Sequence, residues 1–297
     1  MAHAFQSLGF IGLGVMGEGM CANVVRKSPV PVHGADLNPE PLHRLAELGL
    51  RPHPSVEAVA DNAELVFLSL PGGPQVEQVC RQLLAHPGKL RFVVDMSTAP
   101  AALARSLARD FAAIGVQFVD APVARLRQAA RDGTLSIMVG ATAEVFEVVK
   151  PLLGYMGTDV TRCGEVGAGQ IVKVLNNMVV FMNVHALAEA LAIGEASGVE
   201  GKTLFDVLGL GSADSFMLRN AGLKSLLPHD FPLATFPTEY ALKDIGYALE
   251  LAREAGLDPT GAQATQALLT ATSEAGHKKE YYPVFLKTIE ASRTKGR

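Results

Sequence analysis

Apolar and polar positions follow two different periods along this chain, and the change between them divides it. In the first half, short apolar runs stand at Leu8 to Leu13, Pro31 to Asp36, Leu65 to Leu70, Arg91 to Met96, Gln117 to Val119 and Leu135 to Val139. Between them, Met16 to Lys27, Pro39 to Leu48, Val76 to Leu84 and Ala101 to Ile114 carry apolar residues at helical spacing. The run at Leu65 to Leu70 stops at Pro71-Gly72-Gly73, as a strand buried on both faces does. Strands alternating with helices predict a mostly parallel sheet covered on both sides, the doubly wound α/β arrangement. From Gly167 onward the period is helical throughout. Residues 168–197 hold no proline and would span on the order of 40 Å as one long connecting helix. Later segments are separated at Leu227-Pro228, Phe236-Pro237 and Asp258-Pro259. The boundary is therefore expected near Cys163 to Gly169, giving an α/β domain over 1–165 and an all-helical domain over 166–297.

Composition narrows the functional classes. With 48% hydrophobic and 19% charged residues and a mean hydropathy of +0.22, the chain has the material for a large core and is not a disordered protein. A formal charge of −4 gives no overall basic footprint for nucleic acid. Cys21, Cys80 and Cys163 form no C-x-x-C pair, which excludes a disulfide framework and fits a reducing, cytoplasmic setting. The most apolar helical stretch, Met178 to Gly194, is interrupted by Asn183, His185 and Glu189, so no membrane span is expected. The start of the chain has no lysine or arginine before Arg26 and does not read as a signal peptide. The histidines are scattered. His185 and Glu189 offer only two ligands and read as a surface polar pair, so no metal is expected.

Gly12-Leu13-Gly14-Val15-Met16-Gly17 is a G-x-G-x-x-G sequence between the first strand and the first helix, the setting in which such a loop binds a dinucleotide. Gly12 permits the tight turn, Gly14 lets the backbone approach a pyrophosphate, and Gly17 lets helix and strand pack closely. The helix then turns its N–H groups and positive dipole end toward the phosphates, as in a Rossmann-like domain. Asp36 ends the second strand, nineteen positions after Gly17. A carboxylate there accepts ribose hydroxyls and repels a 2′-phosphate, and Leu37 and Asn38 supply no arginine for that phosphate. NAD is expected ahead of NADP. Asp36 could instead cap the next helix, although Asn38-Pro39 is the better pair for that. The turn Ser69 to Pro74, including Leu70 and Pro71, falls on the carboxyl edge of the sheet and reads equally as a cofactor-lining turn or a plain β-turn.

A second cluster lies at Gly167-x-Gly169-x-x-x-Lys173-x-x-Asn176-Asn177. On a helix, Lys173 and Asn177 stand at i, i+4, so one face presents an ammonium beside a carboxamide. The neighbours are apolar. A lysine in such company snorkels to solvent, pairs, or has its pKa lowered by desolvation toward the range of a general acid/base.

Four segments resemble the β-hydroxyacid dehydrogenase family, which includes 3-hydroxyisobutyrate dehydrogenases and tartronate semialdehyde reductases. They are GFIGLGVMGEGMCANV (9–24), DAPVARLRQAARDGTLSIMVG (120–140), GAGQIVKVLNN (167–177) and ALKDIGYALELAREAGLDP (241–259), in the family's order over nearly the whole chain. The resemblance implies that Lys173 is the general acid/base, that Asn177 orients substrate or lysine, and that Asn176 lies beside the substrate. It sets Ser97 or Thr98 against nicotinamide or substrate, with capping of the helix near Pro100 as their other reading. It also implies that Lys243 reaches the cofactor and substrate cleft and that Asp244 is a structural partner.

One departure bears on the substrate. The family's loop commonly reads Pro-Val-Ser-Gly-Gly, whereas this chain reads Pro122-Val123-Ala124-Arg125-Leu126. The serine is Ala124, and Arg125 stands where a glycine is usual. Arg125 is a planar five-donor fork suited to a carboxylate or sulfonate, and the loop looks like that of sulfolactaldehyde reductases. Its other reading is a solvent-facing arginine like Arg127 and Arg131. The expected function is hydride transfer between NAD and a small anionic β-hydroxy acid or semialdehyde. An imine reductase of the same fold, or a dinucleotide-binding reader without chemistry, are the alternatives. An apolar long helix also implies a homodimer or homotetramer.

Overall fold

The computed structural model describes residues 5–233 and 235–292. The chain divides into two compact units at Lys173–Val174, inside the long helix. The first turn of that helix is hydrogen-bonded to strand ends of the first unit.

In the first unit, β1 (Leu8–Ile11), β2 (Val32–Ala35), β3 (Arg51–Pro52), β4 (Leu65–Leu68), β5 (Phe92–Asp95), β6 (Gln117–Asp120), β7 (Val123–Ala124), β8 (Leu135–Gly140) and β9 (Gly157–Gly164) form one sheet. Its order is β3-β2-β1-β4-β5-β6-β8-β7, with β9 also paired to β8. Neighbours from β3 to β6 are parallel, β8 runs antiparallel to β6 and β7, and β9 is parallel to β8. Strand order reverses between β1 and β4, the switch point at which open α/β sheets bind ligands. Helices α1 (Gly17–Lys27), α2 (Pro39–Ala46), α3 (Val56–Ala60), α4 (Gly73–Ala85), α5 (Ala101–Ala112), α6 (Arg127–Asp132) and α7 (Ala143–Leu153) lie between the strands. Alternate residues feed two cores: Phe10, Leu65, Phe67 and Val94 join one, Ile11, Val66, Leu68 and Val93 the other. Both faces of the central strands are therefore buried, which is why they read as unbroken apolar runs.

The second unit holds the rest of α8 (Ala168–Ala196), then α9 (Gly201–Leu210), a π-helical segment at Leu218–Leu226, α10 (Thr238–Glu254), α11 (Thr260–Thr272) and α12 (Phe285–Ser292). Phe181, Leu191, Phe205, Ile245, Leu269 and Phe285 meet in its core. Helix α8 corrects the membrane argument drawn from sequence. Its best 18-residue window has a mean hydropathy of 1.4, so by length and composition it is sufficient to cross a bilayer. Its apolar side chains from Phe181 to Ala192 instead build the core of this unit. His185 pairs with Glu189 as expected, Nε2 to Oε1 at 3.4 Å, but is half-buried: its ring packs near Phe285 and its Nδ1 lies 3.0 Å from Thr265 Oγ1.

Candidate active site

Strand β1 ends at Ile11 because Gly12 turns to a φ of +91°, and a Cβ there would stand 2.3 Å from the Ser69 carbonyl oxygen. A Cβ on Gly17 would come within 2.1 Å of the Gly12 oxygen. Both positions demand glycine. Gly14 differs. It is exposed, and nothing lies within 4 Å of where its Cβ would be, so its backbone is open to a ligand. Met16, the N-cap of α1, makes no side-chain cap hydrogen bond. The helix therefore begins beside an open glycine without a side chain over its first N–H groups, which suits a phosphate.

Asp36 ties this loop to the end of β2. Its Oδ2 accepts from Leu13 N at 2.5 Å and its Oδ1 from Asn38 N at 2.7 Å, leaving each oxygen a further lone pair. The helix-capping alternative belongs to Asn38, whose Oδ1 accepts from Glu40 N at 3.1 Å with Pro39 opening α2. Leu37 projects wholly into solvent, and Val15 is also exposed. An open glycine at a helix N-terminus and a carboxylate at the next strand's end fit a dinucleotide.

Ser97 follows β5 and is buried. Its Oγ accepts from Leu70 N at 2.9 Å, joining the Ser69 to Pro74 turn to the neighbouring strand end, and α5, with Pro100 as its N-cap residue, has no side-chain cap hydrogen bond. Thr98 is half-buried beside it, and Pro71 is exposed in the turn. Gln170, which the sequence reading passed over, is fully buried. It donates from Nε2 to Ser97 O at 2.8 Å and accepts Ala99 N on Oε1 at 3.0 Å, so one carboxamide clamps the strand end to α8.

Asp120, also missed, closes the same corner from β6. Its Oδ1 accepts from Gly167 N at 2.7 Å and its Oδ2 from Gln170 N at 2.8 Å, capping the start of α8. Burial pushes its carboxyl up to about 6, against the opposing pull of the backbone N–H groups of Gly167, Gln170 and Gly169. One turn beyond, Lys173 is 9% exposed.

The substrate-loop residues sit between β6 and β8. Pro122 is buried and its carbonyl accepts from Met138 N at 3.0 Å, while Val123 and Ala124 pair with Ile137 and Ser136. Arg125 has a φ of +84°, the left-handed conformation that explains a glycine at this place in the family's loop. Its side chain is already engaged. Nη2 lies 2.6 Å from Asp159 Oδ2, and Nη1 bonds Thr158 Oγ1 at 3.2 Å and the Thr134 carbonyl. This fork clasps β9 instead of projecting freely to solvent.

In the second unit, Asn176 donates from Nδ2 to Asn177 Oδ1 at 3.1 Å, and Asn177 donates from Nδ2 to Asp244 Oδ2 at 2.7 Å. Lys243 Nζ reaches Asp244 Oδ1 at 2.9 Å and lies 5.3 Å from the Tyr247 ring and 5.8 Å from the Tyr240 ring. Asp244 is 1% exposed and is the acceptor on which both donors converge. The helix spacing Lys173-Asn176-Asn177 was visible in sequence. The resemblance implied Asp244 as a structural partner, and the structure gives it Asn177 and Lys243 as its donors.

A doubly wound sheet with a glycine loop at its switch point and a buried lysine-bearing helix defines a nicotinamide dinucleotide-binding oxidoreductase. Comparison narrows the class. Residues 7–164 match the NAD binding domain of 6-phosphogluconate dehydrogenase, and residues 167–284 match the NAD-binding family of NADP-dependent 3-hydroxyisobutyrate dehydrogenase. The 2-(hydroxymethyl)glutarate dehydrogenase of Eubacterium barkeri is 34% identical over 87% of each chain. The 3-hydroxyisobutyrate dehydrogenase of Pseudomonas aeruginosa is 35% identical over 88% of this chain and 86% of its own. The solved 3-hydroxyisobutyrate dehydrogenase of Mycobacterium tuberculosis with L-serine superposes with a TM-score of 0.85 at 28% identity, covering 96% of this chain and 99% of that one. The chain belongs to the β-hydroxyacid dehydrogenase family, NAD(P)-dependent oxidoreductases acting on the CH–OH groups of small hydroxy acids. Imine reductases are more distant: that of Myxococcus stipitatus, at 18% identity and a TM-score of 0.64, shares the fold alone.

Proposed function

We propose that this protein interconverts a small anionic β-hydroxy acid and its semialdehyde, with Lys173 as general acid/base and NAD preferred to NADP. The observation that carries the reading is Lys173 itself, 9% exposed on α8 one turn before an asparagine whose amide is fixed by Asp244. Bound at the glycine loop, a nicotinamide dinucleotide supplies or accepts the hydride. Lys173 gives a proton to the developing alkoxide in reduction and, neutral, takes the hydroxyl proton in oxidation, so negative charge does not persist in an apolar site. Asn177, its Nδ2 committed to Asp244 and its Oδ1 accepting from Asn176, orients substrate or lysine through the lone pair left on Oδ1, with Asn176 alongside. Lys243 contributes positive charge for an anionic tail or the cofactor. Ser97, Thr98 and the segment Pro122 to Arg125 shape the substrate side.

The preference for NAD rests on Asp36, with Leu37 and Asn38 supplying no arginine for a 2′-phosphate. The nearest arginine of α2, Arg44, is held at 2.7 Å by Glu18. Val172, Leu175 and Val179 are exposed on one stripe of α8, which supports a homodimer or homotetramer. Free cysteines, two of them buried, fit a cytoplasmic protein. Lys173→Ala should lower kcat by about 10²–10⁴-fold on the best of a panel of short anionic semialdehydes, with NADH binding retained. Unchanged turnover in a folded variant refutes the assignment.

A further inference from the structure

Three helices of the first unit, α1, α2 and α6, frame a surface cavity of about 290 Å³ that reaches Val15 of the glycine loop but otherwise lies outside the residues assigned to catalysis. Arginines reach it from all three: Arg26 from α1, Arg44 from α2, and Arg127 and Arg131 from α6. One carboxylate, Glu18, shares the lining and is bound by Arg44 through Nε at 2.7 Å and Nη2 at 3.0 Å. That hydrogen bond, with the charges of Arg127 and Arg131, holds Glu18 below the usual carboxylate range. Among the described residues, no hydrogen bond or ion pair engages the guanidinium groups of Arg26, Arg127 or Arg131.

The arrangement is rigid. Asn23 on α1 is 5% exposed and donates to the carbonyls of Ala130 at 2.9 Å and Arg131 at 3.0 Å, which fixes the end of α6 against α1. Gly19 permits the approach, since a Cβ there would already lie 3.1 Å from the Ala130 carbonyl carbon. Helix α6 is thus held in the one place where its two arginines add to those of α1 and α2. In a chain of net charge −4, this lines one cavity with four guanidinium groups and one carboxylate, Glu18, with Glu40 3.8 Å from Arg44 outside the lining. Arg44 is paired with Glu18 and Glu40, which leaves the positive charges of Arg26, Arg127 and Arg131 in excess, and a ligand that brings several negative charges at once relieves their repulsion. Planar forks meet phosphate oxygens two at a time, which a monocarboxylate cannot match across three of them.

We propose that this cavity is a second anion site, taking a small, multiply charged phosphate or phosphate ester. Val15 of the dinucleotide loop shares the lining, and Arg127 and Arg131 follow the substrate loop on α6, so the two readings are separated by whether a bound dinucleotide displaces the anion. The test is calorimetric titration of the full chain with inorganic pyrophosphate at constant ionic strength, alone and with saturating NADH. The site predicts saturable binding of one pyrophosphate that persists under NADH. It also predicts a loss of at least tenfold in affinity in the Arg127→Gln/Arg131→Gln variant and in Arg26→Gln, with NADH affinity unchanged. Absence of saturable binding, displacement by NADH, or equal affinity in these variants overturns it. Pyrophosphate binding without any NADH binding would leave the cavity assignment standing and refute the proposed function.

Discussion

Asp120 is where the buried electrostatics of this protein can be read most directly. Its carboxyl is fully buried at the start of α8, accepting from Gly167 N and Gln170 N. Burial lifts it from 3.8 to about 6 in the folded chain. The fold therefore prefers the protonated form. That stability is fully present below the unfolded value of 3.8 and is lost as pH rises through 6. A shift of that size, at about 1.36 kcal/mol per unit, amounts to ~3 kcal/mol, of which about 2–3 kcal/mol develops between pH 4 and pH 7. Asp120→Asn removes the titration. Its single carbonyl oxygen serves only one of the two N–H groups and turns an amide N–H toward the other, so the variant starts about 1–3 kcal/mol less stable at pH 4. The deficit should then shrink with pH. Thermal unfolding of both proteins at four values from pH 4 to pH 7 measures this: at roughly 2–4 °C per kcal/mol, the gap in Tm should close by about 5–10 °C. A gap that stays constant or widens would mean that the donors and the helix dipole outweigh desolvation, and the account of this corner would be wrong.

Arg125→Gly should be neutral or stabilising by up to about 1 kcal/mol in thermal unfolding. It relieves roughly 1–2 kcal/mol of left-handed strain and gives up an exposed ion pair worth about 0–1 kcal/mol. A drop in Tm would show that the clasp on Thr134, Thr158 and Asp159 outweighs the strain. Gly17→Ala should weaken NADH binding at least tenfold by fluorescence titration, because its Cβ would sit 2.1 Å from the Gly12 oxygen and displace the loop. Asp36→Asn should lower the ratio of kcat/KM with NAD to that with NADP by about tenfold or more, as repulsion of the 2′-phosphate is removed. An unchanged ratio would move cofactor selection elsewhere.

The parts of this molecule that were legible in sequence are those whose signal is local. Buried parallel strands such as β4 show as unbroken apolar runs because both of their faces are covered, and the glycine loop shows because sterics at Gly12 and Gly17 allow no other residue. What escaped is what depends on distant partners. Strand β9 reads Gly-Thr-Asp-Val-Thr-Arg-Cys-Gly and lies largely exposed, so it has no apolar period; its identity as a strand comes from pairing with β8. Strand β3 is two exposed residues beside β2. Asp120 and Gln170 are polar residues in apolar surroundings, and nothing within a few positions of either states that each will meet the other's segment across fifty residues. The same dependence decides Arg125. From sequence it is a free guanidinium replacing a glycine; in the fold, Asp159 from the unread strand β9 holds it. An anionic substrate drawn to this arginine must therefore compete with Asp159, so the acceptor that the sequence reading lacked becomes part of the specificity question. Asp159→Asn should sharpen the choice between these roles: a lower KM for anionic semialdehydes, with kcat unchanged, follows if Arg125 is released toward substrate, and an unchanged KM follows if the pair only fastens the loop to β9.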